Sequence, residues 1–120
     1  MKHIRLNAII AAVGLAVMLL LSAQSQAGFV SGNKLLQTCD SNENGWLNSC
    51  YGYIAGANDY QQAMVVWGYI DKPPYCLSES VTTDQLVKVV TKWLNERPEK
   101  LHLDAGSLVA HALNNAFPCS

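Results

Sequence analysis

Little in this sequence is suited to catalysis. Only three histidines occur, and His3 falls in the N-terminal leader, so any metal or acid–base centre rests on His102 and His111. Those two are nine residues apart, out of step with the i and i+4 placement by which a helix grips a metal from one face. Asp104 and His111 are seven apart and able to share a side. Yet no serine stands in an elbow motif, and no cysteine is left over to act as a nucleophile. A glycine-rich phosphate loop is missing, and no pair of carboxylates has a recognisable catalytic setting. Cys39, Cys50, Cys76 and Cys119 are spaced 11, 26 and 43 residues apart, with no close Cys or His pair to hold zinc. The expectation is a protein that is not an enzyme, with no cofactor and no metal.

Basic residues are scarce too. Eight Lys and Arg stand against nine Asp and Glu. Lys2 and Arg5 belong to the leader, which leaves six against nine, a net charge of about −3 for the rest. That surface does not suit phosphate-rich partners, so nucleic-acid binding is excluded. The one long apolar run, Ile9 to Leu21, has thirteen residues and is short for a membrane span. A basic start, this run and Ser25-Gln26-Ala27 before Gly28 form the layout of a secretory signal peptide, residues 1–27. No cysteine follows the run to carry a lipid. The expected mature chain, 28–120, is one domain with one core, and has no membrane segment after signal cleavage.

What is present reads as helix. Asn33 to Thr38 is short and helix-like, and "DSNENG" at 40–45 is a loop of turn-favouring residues. Trp46 to about Trp67 carries two apolar stripes: Leu47, Cys50, Tyr51, Ile54, Ala57, Met64 and Val65, then Tyr53, Gly56, Tyr60, Ala63 and Trp67. Two stripes predict a central helix buried on most sides. Gly52 and Gly56 cost such a helix about 1 kcal/mol each against alanine, and the expected return is a close helix crossing in the core. Gly68 to Ser80, with Pro73-Pro74, is a second loop. Thr82 and Gln85 form a capping box, with Val81 and Leu86 placed as a hydrophobic staple. The helix that follows turns Leu86, Val89, Val90, Trp93 and Leu94 inward. Pro98 ends it and is expected to start the last helix, which uses Leu101, Ala105, Leu108, Val109, Ala112, Leu113 and Ala116. No run alternates like a strand. The predicted fold is all-α, a small disulfide-braced bundle of four main helices.

An even number of cysteines in an exported chain implies two disulfides. Cys39 and Cys50 flank a short helix–helix link, and Cys76 and Cys119 bracket a helical hairpin whose outer ends are neighbours. Of three pairings, Cys39–Cys50 and Cys76–Cys119 are favoured.

Four segments resemble one family. "CYGYIAGANDY", "YCLSESVTTDQLVKVVTKWL", "RPEKLHLDAGSLVAHAL" and "NAFPC" occur in order through most of residues 35 to 119. They are similar to motifs of the Rap/Tai immunity proteins of type VI secretion, which protect against peptidoglycan amidase effectors. One departure is Leu77-Ser78 after Cys76, where the family often has proline. The resemblance implies a periplasmic protein, often a homodimer, that binds an amidase and blocks its cleft. It does not say which residues touch the effector. The loop residues Tyr69, Asp71, Lys72 and Tyr75 are the expected effector-binding surface, because exposed aromatics anchor interfaces; the alternative for Tyr69 and Tyr75 is that they fold back on the core. The rival readings are a periplasmic acid-stress chaperone and an inhibitor of another cell-wall hydrolase.

Overall fold

Ser31 opens the first helix. Its side chain accepts the Lys34 N–H, and α1 runs Gly32–Cys39. The computed structural model describes Ile4 and residues 29–120; apart from Ile4, the expected leader and its cleavage site lie outside the described residues. Gly32 is buried, and a β-carbon there would collide with Leu108 Cδ1 and come within 3.0 Å of the Leu101 backbone. That close approach lets the start of α1 pair with a segment far along the chain. Gly32 N–H donates to Leu103 O (2.9 Å), Asn33 N–H to Leu101 O (2.8 Å), and Ala105 N–H to Val30 O (2.7 Å).

The second helix, α2, spans Asn44–Val66, 23 residues. It ends in a Schellman motif: Tyr69 N–H donates to Met64 O (2.9 Å), Gly68 N–H to Val65 O (3.0 Å), and Gly68 takes φ 73°, where glycine alone escapes strain. α3 is Thr83–Asn95 and carries the expected capping box between Thr82 and Gln85. Its Leu86, Val87, Val90 and Leu94 are buried. Tyr51 OH donates to Asp84 Oδ1 (2.6 Å), tying α2 to α3, and Lys88 Nζ lies 2.6 Å from Asp84 Oδ2.

The last helix, α4, is Ala105–Ala116. It starts later than the proline suggests. Pro98–Lys100 forms a separate 3-10 turn, and Asp104 caps α4 by accepting the Ser107 N–H (2.8 Å). The break has a clear cause: the Leu101 and Leu103 carbonyls are taken by α1, so this stretch cannot give them to a continuous helix.

The fold is all-α, with α1 to α4 meeting around Leu35, Ile54, Leu94, Leu108, Val109 and Leu113. Disulfides join Cys39 to Cys50 and Cys76 to Cys119, the pairs favoured by the helical-hairpin argument.

The expected burial of the long helix also fails. The long helix is not buried on most sides: among its residues only Cys50 and Ile54 are buried. Tyr60 is 60% exposed, and Trp67, the residue that caps the helix, is 71% exposed. Length explains this. At 1.5 Å per residue, α2 outruns its neighbours of 8, 13 and 12 residues, which leave one flank and its far end uncovered. Gly52 and Gly56 are not at a helix crossing either; a β-carbon at each meets nothing within 4 Å. Gly52→Ala and Gly56→Ala will therefore each raise stability by about 0.5–1 kcal/mol, read as a higher urea midpoint with unchanged slope.

Candidate functional site

Two surfaces stand out, an exposed aromatic tip and a groove. The tip is the uncovered end of α2. Val66, Trp67 and Tyr69 are 80%, 71% and 70% exposed. The Schellman turn at Gly68 folds Tyr69 back beside Trp67, and their rings meet edge to face with centroids 6.3 Å apart. Asp71 and Lys72 continue this surface and are exposed. Few soluble proteins leave a paired Trp and Tyr in water without a partner to cover them.

The fourth residue expected here, Tyr75, is not on that surface. It is 3% exposed and belongs to the core. Its OH donates to Asn58 Oδ1 (3.1 Å) on α2. The next residue is pinned as well: Cys76 N–H donates to Phe117 O (2.9 Å), beside the Cys76–Cys119 bridge, and Asn114 Nδ2 donates to Pro74 O. The loop is thus stapled down at 74–76, and its free part is the turn before Pro73. The expectation of an exposed Tyr75 is corrected on this ground. Trp67 was missed as a surface residue because it lies on an apolar stripe. The signal that places it was Gly68, a C-cap glycine that puts Trp67 at the end of a helix longer than its partners.

Burial, with the Asp59 carboxylate adding to it, pushes the Tyr75 phenol up to about 12 from 10.0. A phenol raised in the folded state favours folding below its unfolded value, and this contribution is lost as pH climbs through the folded value. Stability is therefore expected to fall between pH 10 and about 12. Tyr75→Phe will flatten that fall while costing about 1 kcal/mol at neutral pH for the lost hydrogen bond. Urea titrations across the alkaline range read both effects.

The groove lies between α2 and α4 and encloses about 900 Å3. Gly52, Gly56, Gly106 and Ala110 line it together with Tyr53 and Tyr60. Asp104 and His111, which the sequence allowed on one side, both line it too. His102 is exposed on the segment between the 3-10 turn and α4, and does not line the groove. Burial and the nearby Asp104 raise the Tyr53 phenol. The Ser107 hydrogen bond holds the Asp104 carboxyl below its usual range. Among the described residues, no group of three or more His, Cys, Asp or Glu is placed to hold a metal.

The four helices and both disulfides lie within one family match. The model of the Rap1a immunity proteins matches residues 31–119, from the cap of α1 to the last cysteine. The chain belongs to the Rap1a immunity protein family. No curated protein matches it by sequence. As a Rap1a immunity protein it is the counterpart of a secreted effector. Its disulfides fit an oxidising compartment, and no described helix is long and apolar enough to cross a membrane.

Proposed function

We infer that this Rap1a protein is exported to the periplasm, where it binds a peptidoglycan amidase effector of type VI secretion and blocks its cleft. It thereby protects the cell from its own or a sister cell's toxin. The observation that carries this reading is the tip. A pair of exposed aromatic rings on a hydrogen-bonded turn at the end of a helix suits insertion into a concave enzyme site, where Trp and Tyr serve as desolvated anchors. Asp71 and Lys72 at its edge offer charge pairing that selects among effectors. Two disulfides suit a small domain that has to stay folded outside the cytoplasm. The resemblance adds a homodimer, which would present two tips.

The test is made in cells. A type VI amidase, preferably one encoded beside this gene, is directed to the periplasm with this protein supplied with or without its leader. Survival only with the leader supports the reading. Lysis in both cases, with the protein shown to be folded and exported, rejects it for that effector class.

A further inference from the structure

The tip owes its shape to the residue between its two rings. Among the described residues only Gly68 has a positive φ, 73°. Trp67, just before it, still follows the helix: its backbone is right-handed and its N–H donates to Ala63 O (2.9 Å). Had the helix continued, residues two apart would stand about 200° apart around its axis, and their side chains would not face each other. The left-handed step at Gly68 turns the chain back instead. The Tyr69 and Ile70 N–H groups both donate to Met64 O (2.9 and 3.3 Å), and the Tyr69 ring meets Trp67 edge to face.

Backbone direction, not lack of room, makes this residue a glycine. A β-carbon on Gly68 would meet nothing within 4 Å, whereas one on Gly32 would collide with Leu108. Gly32 is a glycine for packing and Gly68 for its angle. Asparagine accepts such an angle, and a β-branched residue resists it most. The anchors further along act elsewhere: the Tyr75–Asn58 bond, the Cys76–Cys119 bridge and the Asn114–Pro74 bond all hold the chain after Pro73.

We propose that Gly68 is the positioning residue of the tip: its left-handed conformation holds the Trp67 and Tyr69 rings together before the effector arrives, so that they bind as one preformed anchor. Rings already ordered need not be fixed on binding, which lowers the entropy lost in the complex. This rests on the reading that the tip binds the effector.

The test compares Gly68→Asn with Gly68→Val, side chains of similar size and opposite tolerance for positive φ. It uses the oxidised, mature protein and the purified amidase of the cell test. Both variants should stay folded by far-ultraviolet circular dichroism, because the turn is exposed and has space. In the free protein the Trp67 ring current should shift the Tyr69 ring protons, and Gly68→Asn should keep those shifts while Gly68→Val loses them. Gly68→Val should weaken amidase binding about tenfold, and Gly68→Asn by less than about threefold. In a Trp67→Ala background the Val substitution should cost less than about threefold, because the pair is already broken. Equal Tyr69 shifts in the two variants, or equal affinities where Trp67→Ala does weaken binding, would overturn the proposal and leave the tip reading standing. An equal loss from Val in both backgrounds would also overturn it, since Gly68 would then act without the pair. No binding by the wild-type protein, or Trp67→Ala binding within about threefold of it, would reject the tip reading and this proposal with it.

Discussion

Dithiothreitol will unfold this domain under conditions where the oxidised protein stays folded. The loop-closure model puts the Cys76–Cys119 bridge, which spans 43 residues, at about 4 kcal/mol. The Cys39–Cys50 bridge spans 11 residues and comes to about 3 kcal/mol. Small domains are stable by only about 5–15 kcal/mol in all, so losing both bridges removes a large part of the margin. The geometry sharpens the expectation. Cys76–Cys119 holds the ends of the α3–α4 hairpin together and pins the loop that carries Tyr75. Replacing Cys76 and Cys119 by alanine should therefore lower the urea midpoint more than replacing Cys39 and Cys50. Cys50 is fully buried, so its pair also loses some packing, which narrows the difference. A reduced protein whose far-ultraviolet circular dichroism and urea midpoint match those of the oxidised one would contradict this account.

Trp67→Ala should weaken binding to the cognate effector by about 30-fold or more, the scale of an interface hot spot at 2 kcal/mol. Its effect on stability should stay within about 0.5 kcal/mol, because the ring is 71% exposed and contributes little to the core. Tyr75→Ala should show the reverse profile. Its ring is 3% exposed and its hydroxyl bonds Asn58, so truncation should cost about 3–5 kcal/mol of stability. Any lost inhibition would then follow from lost fold. Measuring binding and urea midpoints for both variants separates an anchor from a core residue. Binding by Trp67→Ala within threefold of wild type would remove the tip from the effector interface.

Local rules made the helix boundaries legible where they had a side-chain signature. Thr82 with Gln85 starts α3 by hydrogen bonds within a few residues, whereas the Ser31 cap of α1 is missed and the sequence places that helix only from Asn33. The disulfide pairs were legible because they follow from connectivity. The break before α4 was hidden, since it is imposed by α1, whose N–H groups claim the Leu101 and Leu103 carbonyls from across the sequence. Exposure on α2 was misread for a related reason. Apolar periodicity says which residues share a face, but the lengths of neighbouring helices decide whether that face is covered. Ile54 and Tyr60 are both apolar by periodicity, yet one is fully buried and the other 60% exposed. The groove follows from the same fact: its glycines were legible as unusual, and their open surroundings were not.

The pairing between the start of α1 and the approach to α4 also bears on how the chain reaches its fold. Most of its hydrogen bonds are local helical ones, which favours fast folding. Yet Gly32 N–H bonds Leu103 O across 71 residues of sequence. A nascent chain that still lacks residue 103 has no acceptor for that amide. Its N-terminal helix should then remain undocked until almost the whole domain has emerged, so folding in steps from the N-terminus is disfavoured. A polypeptide with that habit stays threadable late, and completes itself only once its far end arrives.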